Sequence, residues 1–492
     1  MIIKIFLTFC LFLSLECGAL TVGIPNSINS LSPLDATTAH NKYILHLVFD
    51  GLVTFDENNN IVSNLAKSWK KTNDSTVEFN LWENNKFSNG DDLVASDVVD
   101  SFKLLCSQKS NATQDFSAIK GCLEGKPSIR KTDKHKIEIK ANSNLNVLLY
   151  QLASLRSIVF KKFNNDYIGT GPYKTSKINK KELVLDINIF YKKLNLTNRS
   201  ISFVFFQNES QIFKALVANE LDVSLVHISR VLNPKITKYY NIERDLLNIT
   251  QTLFFNNVKK PFNNMELRRS LNHSIQEKSE LLLKCLLKKS DISAEIGRGV
   301  VPRGLGGTIS HLPRLKKTPD LKKMKLKEVQ EVRLHQHIGR KNHCLEDNLK
   351  EIFREHNIDL VFKYHASYKT LFPIYLNGEF DLFIELLNYK NRDAYTILKH
   401  FVSKDNKENF AQLNDPSLDN ILLSAIKASN PSQRYEYYRN AVESIDEKSY
   451  VVPLYYTNTW TYYKKCLKGF NREKSVNPFL DLIYINRDSC GK

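Results

Sequence analysis

After its first 19 residues this chain contains no run of the roughly 18 apolar residues that a membrane-crossing helix needs, so no later segment reads as a span. It has no G-x-S-x-G elbow, no H-E-x-x-H helix and no complete phosphate loop, since residues 121–126 are too short for one and run into Pro127. Each of those chemistries depends on side chains held at a fixed spacing, and Ser, His and Asp scattered through a long chain do not supply one. None of its eight cysteines forms a C-x-x-C pair, which removes the usual signature of zinc binding or dithiol redox work. Neither a finger nor an RNA-binding motif is present, and nucleic acid drops out as a partner. The sequence therefore points to a protein that binds and not to an enzyme, and it calls for no cofactor.

Residues 1–19 carry a lysine at position 4, an apolar run over 5–15, and the small residues Gly18 and Ala19, the layout of a removable secretory signal with a mature start near Leu20. A lipid anchor needs a small residue just before the modified cysteine, whereas Cys17 follows Glu16 and Cys10 follows Phe9. The expectation is a soluble periplasmic protein. Its 492 residues exceed the ~250–300 at which one hydrophobic core stops growing, so at least two domains are expected. The net charge of +18 survives loss of the signal, because Lys4 and Glu16 cancel. The basic residues are scattered, which favours solvated faces over a patch for anionic headgroups or acidic ligands. Six cysteines remain after the signal, an even number that an oxidising compartment allows to pair. Cys106 with Cys122 and Cys466 with Cys490 are the expected pairs; Cys285 and Cys344 are left open between a bond and free thiols.

Hydrophobic periodicity places the elements. Val77, Phe79 and Leu81 alternate with polar neighbours as one face of a strand, turn formers flank it at Asn73-Asp74 and Asn89-Gly90, and Ser96 is placed to cap a helix carrying Val98, Val99, Phe102 and Leu105 on one side. Residues 201–206, 209–218 and 221–226 read as strand, helix and parallel strand. A second such unit follows residue 330, with strands at 332–338, 358–362 and 380–386 and helices around 345–355 and 368–376. The fold class is α/β, used twice, and two open sheets leave a cleft where ligands gather at strand ends. Residues 298–319 read as a Gly- and Pro-rich loop, either a lip of that cleft or a plain surface connection.

Several of these pieces form a series: S-L-S-P-L-D from Ser30, V-F-D-G-L-V-T-F-D from Val48, N-L-A-K-S-W from Asn64, T-V-E-F-N-L-W from Thr76, F-S-N-G-D-D-L from Phe87 and A-S-D-V-V-D-S-F from Ala95. It continues with G-T-G-P-Y from Gly169, L-F-F-N-N-V-K-K-P-F-N-N-M-E-L-R-R from Leu253, N-G-E-F-D-L from Asn377, and residues 414–456 ending V-P-L-Y-Y. In this order the chain resembles the extracellular solute-binding proteins of family 5, the oligopeptide, dipeptide and nickel type that serve ABC importers. The resemblance implies a two-lobed periplasmic-binding-protein-like fold, type II with an extra inserted subdomain and a cleft between the lobes. The division it implies is lobe I at 20–45, 160–250 and 453–492, an insertion at 46–159 and lobe II at 251–452, with hinge crossings near residues 252–256 and 451–455.

In peptide-binding relatives two loops face the ligand. By position the first corresponds to Thr38, Ala39, His40 and Asn41, and the second falls within residues 385–393, E-L-L-N-Y-K-N-R-D. Many relatives read G-W-x-x-D-Y-x-D-P there, the first aspartate holding the peptide ammonium; here Lys390 or Asn388 takes its place, and neither is a carboxylate. A buried ammonium needs an opposite charge or full hydrogen bonding. Glu385 or Asp393 is then the replacement, or Lys390 and Arg392 face an anionic ligand. Tyr389 lies in the same loop, and Tyr456 offers aromatic surface near the second crossing, with a buried strand as the plainer reading of V-V-P-L-Y-Y. His335, His337, His343 and Cys344 are the one cluster with metal-like composition, read first as ordinary surface or core residues because a site needs further ligands and support. The expectation is a monomeric carrier of a peptide or peptide-like solute that delivers it to an ABC permease. A metal-chelate or anionic-solute carrier and a transport-inactive secreted sensor or scaffold are the alternatives.

Overall fold

The computed structural model describes residues 19–25, 28, 30–35, 39–56, 60–110, 112–142, 145–164, 166–192, 198–226, 233–244, 249–287, 294–302, 324–366, 368–388, 394–402, 409–428, 431–457, 460–469 and 490. The signal segment and most of the 298–319 loop lie outside them.

Two mixed sheets organise the chain. The first has seven strands, in the order Tyr173–Ile178, Glu182–Ile187, Ser200–Phe206, Leu20–Pro25, Val223–Val226, Trp460–Lys464 and Tyr240–Arg244. The second has six, in the order Ala294–Ile296, Val451–Thr457, Ile249–Phe255, Leu382–Asn388, Gln330–His337 and Ile358–His365. The expected strand–helix–strand unit of the first sheet forms with helix Glu209–Val217, but its strands are not neighbours. Leu20–Pro25 lies between them and runs parallel to both. An N-terminal strand with every second residue buried fills the gap that a right-handed crossover leaves. In the second sheet, Gln330–His337 pairs in parallel with both Ile358–His365 and Leu382–Asn388, as the spacing of strands and helices predicts.

The two halves share a device at their strand entries. Asn219 and Gly378 both take left-handed backbone angles, φ 60° and 68°, at the exit of a helix. The aspartate three residues further on then serves the neighbouring parallel strand. Asp222 accepts the Thr21 amide at 2.9 Å and pairs with Lys464 at 3.0 Å; Asp381 accepts the Arg333 amide at 2.9 Å and pairs with Lys259 at 2.5 Å. The similar stretches N-E-L-D-V and N-G-E-F-D-L are thus one solution to one packing problem.

Between the first and second strands of the first sheet in chain order stands a smaller sheet, ordered Ala66–Asn73, Thr76–Leu81, Lys136–Lys140 and Ile129–Asp133. Its inner face buries Val77, Phe79, Ile137 and Ile139. On its outer face Glu78 and Glu138 lie directly opposite each other, a like-charge pair flanked by Lys70 at 3.1 Å and Arg130 at 2.6 Å. Helix Ala95–Leu105 carries the expected buried residues, but Ser96 does not cap it. Val94 is the N-cap, and Asp97, inside the first turn, accepts the Val94 amide at 2.8 Å. Disulfides join Cys106 to Cys122, Cys466 to Cys490, and also Cys285 to Cys344.

The D-G and G-T-G-P-Y motifs meet where this insertion joins the first sheet. Thr170 donates to Asp50 at 3.2 Å, the Gly171 amide donates to the Val48 carbonyl at 3.0 Å, and the Tyr173 hydroxyl donates to the Asn198 carbonyl at 2.9 Å. A Cβ at Gly169 would lie 2.1 Å from the Val48 oxygen and 2.5 Å from the Phe49 ring. Gly169→Ala is expected to cost about 1–3 kcal/mol, the usual range for overpacking, read as a lowered midpoint in thermal unfolding.

The second sheet is covered on both sides. Phe254, Phe383 and Phe401 stack on one face, while Leu253, Phe255, Leu334 and Leu382 meet the helices on the other. The long N-N-V-K-K-P-F-N-N-M-E-L-R-R motif ties this body together. Asn256 donates to the carbonyls of Gly378 and Phe380, and Asn257 to those of Ala411 and Tyr450. The crossings between the sheets fall outside the ranges expected for them. Residues 252–256 and 451–455 lie within or at the end of central strands, and the chain passes between sheets from Arg244 to Ile249 and from Thr457 to Trp460. Residues at 252 and 453 are paired on the sheet ladder and cannot swing without breaking it.

Candidate functional site

Antiparallel pairing brings three strand ends together beside the two crossings, with Ile249 opposite both Asn388 and Thr457. Three residues into this end stands Glu385, directly across from Thr252. Its Oε1 accepts Arg340 Nη2 at 2.6 Å and the Leu386 amide at 2.8 Å, and Arg340 Nη1 donates to the Ile384 carbonyl at 2.9 Å. The two side chains are 13% and 14% exposed, so the pair is largely withdrawn from water and its Coulomb attraction is little screened. Glu385 Oε2 and Thr252 Oγ1 are both buried and make no hydrogen bond among the described residues. Orphaned polar atoms of this kind are costly unless something satisfies them, and here two of them stand on one cross-strand pair.

Around this pair the aromatic residues are already committed. The Tyr455 hydroxyl donates to Gln251 Oε1, and burial pushes its phenol above the ordinary value. Tyr456, read from the sequence as ligand-facing, is buried; its hydroxyl donates to the Gly299 carbonyl at 2.8 Å and accepts the Arg298 amide at 3.0 Å. Its work in this structure is to fasten the start of the 298–319 segment, because a buried phenol must find partners and the nearest are main-chain groups. The Thr250 hydroxyl adds a bond to the Val300 carbonyl at 3.0 Å.

Of the other residues singled out from the sequence, Thr38, Tyr389, Lys390, Arg392 and Asp393 lie outside the described residues. Ala39 and His40 open the helix Ala39–Val48, with Asn41 half-buried in its first turn, and Asn388 ends its strand. The histidine in the body of that helix, His46, is half-buried: its Nε2 is 2.9 Å from the Leu155 carbonyl, and burial lowers its pKa to about 4. The metal-like cluster disperses. Cys344 is bonded to Cys285, His343 is exposed, and His337 Nε2 lies 3.2 Å from the Ala366 carbonyl. His335 instead meets His365. Among the described residues no three or more His, Cys, Asp or Glu side chains come together to hold a metal ion. Arg340 and Thr252 escaped the sequence reading, because their link to Glu385 runs through strand register, for which no local spacing stands.

Two mixed α/β sheets, joined by two crossings and lengthened by an inserted small sheet, define the two-lobed periplasmic-binding-protein fold. The ABC transporter-associated periplasmic binding protein DppA of Helicobacter pylori, solved with the peptide STSA, superposes with a TM-score of 0.75 at 18% identity, covering 95% of this chain and 98% of that one. The profile described as bacterial extracellular solute-binding proteins, family 5 Middle, matches residues 60–283, and over that stretch the chain is similar to those proteins. Identity to the oligopeptide-binding protein OppA of Haemophilus influenzae is 21% over 90% of this chain and 89% of that one. With the murein peptide-binding protein MppA of Escherichia coli it is 23%, over 40% of this chain and 41% of that protein's length.

Proposed function

We propose that this protein captures a peptide or peptide-like solute between its two sheets, at the end where the chain crosses, and presents it in the periplasm to an ABC importer. The observation that carries the reading is the Glu385 carboxylate: one oxygen is held by Arg340, and the other is buried and finds no partner among the described residues. A ligand ammonium or amide N–H supplies the missing donor, taking over the task of the aspartate absent from the loop that follows. Relatives that bind peptides support the solute class, and the separate cores of the two sheets support closure of one sheet unit on the other. Closure removes water from the contacts that hold the ligand, and a permease that recognises the closed form receives loaded carrier.

Calorimetry with short peptides tests this. Glu385→Gln keeps the shape but removes the charge, and is expected to weaken binding of free-amine peptides by tenfold or more, at about 1.4 kcal/mol per decade. N-acetylated peptides are expected to bind wild type as weakly as free peptides bind the variant. Equal affinity for free and acetylated peptides, with Glu385→Gln unaffected, defeats the assignment.

A further inference from the structure

A cavity of about 340 Å³ opens at the other end of the Leu382–Asn388 strand and is lined by Lys259, Arg333, His335, Lys363, Tyr364, His365, Glu379, Phe380 and Asp381. His335 and His365 stack in its wall, ring centroids 5.2 Å apart and planes at 20°, with His335 Nδ1 3.0 Å from His365 Nε2. We propose that this cavity binds a small doubly charged oxyanion, and that the histidine pair takes up one proton as the anion enters.

The hydrogen-bond inventory of imidazole carries the argument. In the neutral pair one ring donates to the other, so its two remaining nitrogens comprise one N–H and one lone pair. Neither remaining nitrogen has a protein hydrogen bond among the described residues. Adding one proton preserves the bond between the rings and turns both remaining nitrogens into donors. A second proton abolishes the acceptor inside the pair and drives the rings apart. The singly protonated pair is therefore the state that offers an anion two N–H donors and a positive charge.

The surrounding charges favour the same ligand. Asp381 is neutralised by Lys259 at 2.5 Å and accepts the Arg333 amide at 2.9 Å; Glu379 accepts Asn377 Nδ2 at 3.0 Å. Arg333 leans on the exposed Glu331 at 3.3 Å, and Lys363 has no ion pair among the described residues. The Tyr364 hydroxyl is turned to Glu346, donating at 2.6 Å, and takes no part. The lining thus holds three permanent cations against two carboxylates, and proton uptake widens the excess. Burial and then the neighbouring His365 lower His335 to about 4, and burial lowers His365, so at pH 7 the proton arrives with the anion and not before it.

Sulfate keeps its charge constant between pH 5 and 8 and is the probe. Calorimetry at pH 5.5 and 7.5, in buffers of different ionisation enthalpy, is expected to show at least tenfold tighter binding at the lower pH and uptake of about one proton at pH 7.5. His335→Gln and His365→Gln are each expected to abolish the pH dependence. In the unaltered protein, the imidazole NMR signals of both residues are expected to move on addition of sulfate, a readout independent of whether the variants fold. Competition then separates the sources: stronger displacement of sulfate by phosphate marks a free or esterified phosphate, and stronger displacement by citrate a polycarboxylate. No binding, pH-independent binding, unmoved imidazole signals, displacement by neither anion, or displacement by a peptide that fills the interlobe site overturns the proposal.

Discussion

Replacing Arg268 with methionine is expected to destabilise the protein by about 3–5 kcal/mol, the largest effect of any single substitution considered for this chain. The residue is 4% exposed and makes no ion pair with a carboxylate among the described residues. Its guanidinium donates to three main-chain carbonyls, those of Phe262 at 2.7 Å, Lys448 at 3.0 Å and Ser449 at 3.1 Å, and lies 5.5 Å from the centre of the Tyr450 ring. Burial lowers its pKa to about 10, which still leaves it charged at any physiological pH. Lys448 to Tyr450 form the exit of helix Pro431–Glu447, where the Tyr450 amide donates to the Ile445 carbonyl and the Ser449 amide to that of Asp446. That is the Schellman pattern, with Ser449 at φ 44° in the place glycine usually takes. A cation at a helix C-terminus is favourable, and this one also holds a strained serine in position. Methionine fills the volume but leaves three buried carbonyls without donors. Lysine keeps the charge but cannot reach three acceptors with a planar fork, so Arg268→Lys is expected to recover only part of the loss. Denaturant unfolding of the three proteins measures this; a loss under 1 kcal/mol for methionine would show that the carbonyls find other partners.

The second large effect has the opposite sign and a pH signature. Asp446 sits in the last turn of the same helix, where burial raises its carboxyl from 3.8 to about 6. The folded protein therefore binds this proton more tightly than the unfolded chain. Its contribution to stability is fully present below about pH 4 and is lost as the pH rises to 6. Above that the ionised carboxylate costs on the order of 3 kcal/mol, because a tenfold difference in proton affinity between the folded and unfolded chains is worth about 1.4 kcal/mol. Asp446→Asn removes the ionisation, so the variant is expected to match wild type near pH 4 and to exceed its stability by about 2–3 kcal/mol at pH 7. Thermal midpoints across pH 4 to 8 check it, and a difference that does not grow between pH 4 and 6 assigns the ionisation penalty elsewhere.

Much of the fold was legible because it is local. The alternation at Val77, Phe79 and Leu81 and the helix face of Val98, Val99, Phe102 and Leu105 are written at spacings of two and of three to four, and the structure buries all seven. Where the reading missed, a competing group had taken the role. Ser96 lost the cap to Val94, because Asp97 reaches back to the Val94 amide. The crossings were placed a few residues inside the second sheet, because a buried strand continues its ladder for as long as partners exist, and apolar composition does not mark where they end. Of the two readings of Tyr456, ligand surface or buried strand, the structure has it buried in a strand with its hydroxyl bonded to Gly299 and Arg298.

By itself, the order of periodic segments and turn residues pointed to an α/β architecture used twice, since each strand, helix and turn depends on neighbours within a few positions. Only the tertiary structure decided that Leu20–Pro25 runs between two other strands, that Cys285 finds Cys344, that Glu385 faces Thr252 and Arg340, and that His335 chooses His365 over His337. Those pairings join residues 30 to 180 or more positions apart, set by strand register and sheet order, and neither quantity is carried by any short stretch of residues.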